Sequence, residues 1–170
     1  MVLPMVMRGL PVPWPKRRYI LLDAKREAER LGLPFGRVAD PVGAPTERGI
    51  ALVQHALALD EREGRDDSRA GMAVAESFLR GAFAEGIDAG GDAGLARIAT
   101  RAGLDADAVR AALADDAWRR IAEADRIDLL ARGLWGVPSF RIDDRPALWG
   151  QDRLWMLEED LITALEGASA

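Results

Sequence analysis

The stretch Gly133-Leu134-Trp135-Gly136-Val137-Pro138-Ser139-Phe140, followed a hairpin later by Trp149-Gly150-Gln151-Asp152-Arg153-Leu154, decides how this chain is read. Its composition predicts a helix ending at Gly133, a Val-Pro step, a short strand, an Asp143-Asp144 turn, a second strand and a closing helix. Proline has no N–H, and X-Pro is the only common site of a cis peptide, so Val137-Pro138 is either an ordinary trans strand start or a cis step. A cis bond would turn the backbone N–H and C=O of Val137 outward, free to pair with an extended peptide-like ligand as a sheet edge does. Gln151 and Asp152 are expected in the first turn of the last helix, where spare N–H groups attract a carboxylate. The charge of Asp152 suits an ammonium. A backbone clamp beside a carboxylate-and-ammonium pocket matches the needs of glutathione.

The pattern G-x-W-G-V-P-S-F followed by W-G-x-D-R-x-x-x-L resembles the C-terminal half of the DsbA-like thioredoxin family. Within that family it is most similar to the 2-hydroxychromene-2-carboxylate isomerases and kappa-class glutathione transferases. A second match, Lys16-Arg17-Arg18-Tyr19 with Asp23, is similar to the K-x-x-Y-x-x-x-D segment that opens the helical insertion of that branch. The resemblance runs from about Leu3 onward. It implies an α/β, thioredoxin-like fold that is mostly helical, with a large insertion at 16–132 between thioredoxin-like portions at 1–9 and 133–170 of one domain. In the family, a strand, a loop with a catalytic serine or Cys-x-x-Cys, a helix and a second strand precede the segment resembling Val2–Gly9. Those parts have no counterpart in these residues. The expectation is therefore an incomplete sheet, no catalytic residue in this chain, and little isomerase turnover by it alone.

The chain has 170 residues, enough for one domain with a proper core. Its net charge of −5 argues against a general nucleic-acid or membrane-surface binder, because phosphate binding needs clustered Lys and Arg. The basic residues instead alternate with acids, as in Lys25-Arg26-Glu27 and Glu61-Arg62-Glu63, which describes a solvated helical face. No apolar run is long enough to span a membrane, and Met1–Met7 does not make a signal peptide, so a cytoplasmic location is expected. There is no cysteine. Intrinsic disulfide exchange and thiolate metal sites are excluded, and any sulfur chemistry must come from a bound thiol.

Val2–Met7 is short, apolar and interrupted by Pro4, as the tail of a strand would be. Arg8–Pro15, with three prolines, is expected to be irregular. Apolar periodicity predicts helices at Lys16–Leu31, from a Thr46 cap to near Asp60, from Asp67 or Ser68 onward, at Leu95–Ala102, at Asp105–Leu113 and at Asp116–Arg132. Strands are predicted at Val137–Phe140 and Ala147–Trp149. A last helix carries Leu154, Met156, Leu157, Leu161 and Leu165 as their cover, and the hairpin's outer edge would stay open to another chain.

By resemblance, Lys16 meets a ligand carboxylate, Val137 and Pro138 form the clamp through a cis peptide bond, and Gln151 and Asp152 hold the γ-glutamyl end of glutathione. Trp14, Trp135, Trp149 and Trp155 would make an aromatic wall, with Trp135 and Trp149 packing around the hairpin and Trp14 and Tyr19 on the substrate side; a surface or interface position is the alternative for Trp14. The ordinary alternatives are a basic helix start for Lys16, a hydrogen-bonded core tyrosine for Tyr19, and an acidic first turn for Asp152. An asparagine the family uses has no match in Arg8–Pro15. His55, the single histidine, lies mid-helix and suits a surface or core position better than a metal site. No calcium-loop or nucleotide-binding glycine pattern is present, so no metal is expected. The implied activity is a glutathione-dependent isomerase or transferase acting on an aromatic pyruvate adduct, with the protein a homodimer. The competing reading is a non-catalytic DsbA-like binding or assembly module, or an oxidoreductase relative without its Cys-x-x-Cys.

Overall fold

A computed structural model of the chain describes residues 12–65, 67–134 and 136–168. The strand expected at Val2–Met7 and the wall position of Trp135 lie outside those residues. The chain order is α1 (Trp14–Leu31), α2 (Ala44–Arg62), α3 (Arg69–Ala84), α4 (Asp92–Arg101), α5 (Ala106–Ala114), α6 (Ala117–Ala131), β1 (Ser139–Phe140), β2 (Leu148–Trp149) and α7 (Leu154–Ala168), with a 3-10 turn at Gln151–Arg153 before α7. Two compact units are distinguished, divided between Ile121 and Ala122.

In the larger unit, α2 packs on α3 and α5, and α4 closes the bundle against α3. Leu52, Val53, Ala56, Val74, Leu95, Ile98 and Ala112 meet in one buried cluster. Close approach of α2 and α3 depends on glycine: a Cβ at Gly49 would stand 2.6 Å from the Phe78 ring. Ser77 donates to the Ile98 carbonyl at 2.8 Å, and Arg101 reaches back to the Ser77 carbonyl at 2.7 Å, tying α3 to α4. Arg101 also holds Glu85 at 2.7 Å, and hydrogen bonds from it and then Arg80 keep that carboxyl below its ordinary value.

Three helix starts differ from the sequence reading. α1 begins at Trp14 with Pro15 in its first turn, since proline lacks only an N–H that a helix start leaves unused anyway. Thr46 does not cap α2; Gly43 does, and the Thr46 hydroxyl donates to the Pro41 carbonyl. Ser68 precedes α3 with φ +51 and makes no cap bond. The cap comes instead from Asp60, which accepts from Ala70 N at 2.8 Å and Gly71 N at 3.2 Å while Arg65 donates at 2.7 Å. Burial pushes the Asp60 carboxyl up, but Arg65 and the two backbone N–H groups outweigh it and hold it below 3.8. Asp105 caps α5 as expected, accepting from Ala108 N.

In the smaller unit, β1 and β2 form an antiparallel hairpin with Ser139 opposite Trp149 and Phe140 opposite Leu148. Asp143 carries the turn with φ +47. α7 turns Met156, Leu157, Asp160 and Ala164 to its half-buried side, where Asp160 meets Arg145 at 3.5 Å. Among the described residues the sheet has two strands, and no helix is long and apolar enough to cross a membrane.

Candidate functional site

The site is built on the turn that joins α6 to β1. Gly133 ends the helix with φ +71, a conformation that an L side chain resists. Gly136 then passes so close to the Trp149 indole that a Cβ there would collide with it. The Val137-Pro138 bond is cis, as the motif predicts. Pro138 is already engaged, since its carbonyl accepts from Gly150 N at 3.0 Å and closes the hairpin mouth. Val137 is not: it is 60% exposed, and among the described residues neither its N–H nor its C=O takes part in a hydrogen bond. An exposed residue with both backbone groups unspent, beside a strand, can pair with one extended peptide unit.

Beside Val137 lies a cavity of about 500 Å³ bounded by Asp128, Leu129, Arg132, Val137, Phe140 and Arg141. Arg132 donates to Asp128 at 2.6 Å, and that bond holds the Asp128 carboxyl below its ordinary value, with smaller help from Arg141. These charged groups escaped the sequence reading. The available signal was the period-two alternation that sets Arg141 and Ser139 on one side of the strand.

Gln151 and Asp152 do not occupy the first turn of α7. They form a 3-10 turn ahead of it, entered from Gly150 with φ +105. The glycine in W-G-Q-D matters because only such a φ leads from β2 into that turn. Both carboxylate oxygens of Asp152 stand 3.2 Å from Arg153 Nη1, which also donates to the Trp149 carbonyl. This pair is solvent-exposed, and exposed pairs exchange partners at little cost.

Lys16, Trp14 and Tyr19 belong to the larger unit, on the first turns of α1. Trp14 is exposed on the helix itself rather than in an irregular loop. Tyr19 is 59% exposed and its hydroxyl has no hydrogen-bond partner among the described residues, which excludes the core role considered for it. His55 is half-buried and borders a separate cavity of about 520 Å³ with Gln54, Glu61 and Trp118. No cluster of three or more metal-binding side chains exists among the described residues.

The sequence profile of the DSBA-like thioredoxin domain matches residues 5–162. A solved structure described as 2-hydroxychromene-2-carboxylate isomerase superposes with a TM-score of 0.68 at 22% identity, covering 91% of this chain and 70% of that one. No curated protein matches the chain.

Proposed function

The chain belongs to the DSBA-like thioredoxin family, and from that membership we propose that it is a glutathione-binding protein of the isomerase or transferase type. The observation that carries the reading is Val137: an exposed residue with an unspent N–H and C=O, standing between a glycine turn and a charged cavity. In this reading Val137 pairs with the cysteinyl unit of glutathione. Asp152 takes the ammonium in exchange for Arg153, and Gln151 donates to the adjoining carboxylate. The absence of cysteine agrees with a thiol brought by the ligand. Glutathione, when bound, supplies a thiolate for reversible addition to a conjugated carbon, which permits cis–trans rotation in an aromatic pyruvate adduct. That substrate class follows the description of the solved isomerase, whose fold this chain shares. Val137, Gln151 and Asp152 bind and orient the ligand.

A ligand bound only by the folded state raises stability by RT ln(1 + [L]/Kd), about 1.4 kcal/mol at tenfold saturation. Millimolar glutathione is expected to raise the melting temperature and to change the tryptophan fluorescence. Unchanged melting and fluorescence at 10-fold steps of glutathione up to roughly 10 mM, far above the useful Kd range, would remove the reading. A second reading, a binding or assembly module, is favoured by one observation. Two helices, α1 and α7, present large apolar side chains outward.

A further inference from the structure

The cavity beside Val137 is closed by one face of α6 and by the chain that enters and leaves β1. Asp125, Asp128, Leu129 and Arg132 recur at three, four and seven residues along α6, so they share that face. Val137 and Arg141 border the cavity from the strand side. The charges around it are not all matched. Arg132 is bonded to Asp128 at 2.6 Å, and Asp125 is not free either. Arg141 makes no hydrogen bond or ion pair among the described residues; it reaches Asp128 only through space, as the smallest of the influences on that carboxyl.

A guanidinium keeps its charge at every physiological pH, and its planar fork of N–H donors matches the two oxygens of a carboxylate. Next to this fork, the half-buried Leu129, Leu134 and Phe140 line the same cavity as an apolar wall. At about 500 Å³ the cavity has the size that holds a small organic ligand. An unanswered cation against an apolar wall favours a flat apolar body with one carboxylate. A neutral aromatic leaves the charge unmet, and an aromatic amine meets a like charge.

We propose that the cavity beside Val137 takes an aromatic carboxylate, and that Arg141 is the residue that selects for the acid. The carboxylate lies on the Arg141 guanidinium and the ring against Leu129 and Phe140, while Arg132 stays with Asp128. The ligand then sits next to the Val137 backbone, where the thiol-bearing unit of glutathione is placed above. That this acid is the substrate of the isomerase or transferase rests on the glutathione reading; the binding of aromatic acids in the cavity does not.

The probe is cinnamate, titrated calorimetrically against the full chain without glutathione, beside cinnamamide, which has the same ring and double bond but no charge. Cinnamate is expected to bind roughly 5- to 20-fold more tightly, the range of an exposed charge-assisted hydrogen bond. Arg141→Gln is expected to erase that preference by weakening cinnamate alone. Arg141→Lys is expected to restore part of it, because the charge returns without the fork. Arg141 holds no other group, so ligand-free melts of both variants should match the wild type. Leu129→Trp fills the cavity and is expected to weaken acid and amide alike. Equal affinity for acid and amide, no binding of cinnamate at millimolar concentration, or a preference that survives Arg141→Gln overturns the proposal. Loss of glutathione affinity in Arg141→Gln with cinnamate unaffected also overturns it, since the anchor then takes a carboxylate of the tripeptide. Cinnamate bound without any glutathione binding removes the glutathione reading and leaves the acid site standing; glutathione bound without cinnamate does the reverse.

Discussion

The α2–α5 bundle and the hairpin with α7 spend the same kind of sequence differently. In the bundle, apolar residues at helical spacing meet one another: Leu52, Val74, Leu95 and Ile98 are closed off from solvent. In α7, no described side chain is fully buried, and Leu154, Trp155, Leu161 and Ile162 are exposed. Periodicity is strong in both. It says that a face is apolar, not what covers it. The bundle covers its own faces, whereas the hairpin unit offers an unspent backbone at Val137 and an apolar helix surface, the two things a binding element needs.

The sharpest way to break this comparison is truncation of the bundle core. Leu52→Ala should cost about 2–5 kcal/mol in urea unfolding, as for other fully buried leucines. Leu161→Ala should change the unfolding of the bundle by less than about 0.5 kcal/mol. Equal losses would mean that α7 is as well packed as α2.

Next in size is the buried cap. Asp60→Ala leaves Arg65 and the Ala70 and Gly71 N–H groups without their acceptor, and should lower Tm by on the order of 5–10 °C. Asp60 and Glu85 both have folded-state pKa values held below the ordinary 3.8 and 4.5. Their contribution is therefore complete above those values and is lost as pH falls through them toward the lowered folded values. Melting followed from pH 6 down to pH 2 should show the loss concentrated below about pH 4.5, and Asp60→Ala should flatten that part of the profile.

Asp152→Ala should weaken glutathione binding by roughly 5- to 20-fold, an exposed charge-assisted hydrogen bond rather than a buried one. Calorimetric titration measures it, after ligand-free melts establish that the last helix is intact. Removing Arg153 instead should strengthen binding slightly, because the competing cation of Asp152 is gone. The smallest effect is expected at Gln151→Ala, about threefold, since a neutral hydrogen bond contributes little net. Reversal of the Asp152 and Gln151 order would place the ammonium elsewhere in the site.

Most of the architecture could be read from the residues. The Gly133–Phe140 and Trp149–Leu154 motif placed the hairpin, the cis Val137-Pro138 step and the family, because glycine, proline and strand periodicity act over a few residues and leave local marks. The seven helices also followed from apolar spacing, within a few residues at their ends. Long-range contacts left no such mark. That Asp60 rather than Ser68 caps α3 depends on folding α2 back over the loop, ten residues away in sequence. That Gln151 and Asp152 form a 3-10 turn depends on how Gly150 leaves the hairpin. That Arg132 and Arg141 border one cavity depends on how α6 enters β1. Local conformation is set by each residue's own torsional preferences and is legible one segment at a time; which polar group meets which, and which apolar face goes uncovered, is decided only when the segments pack.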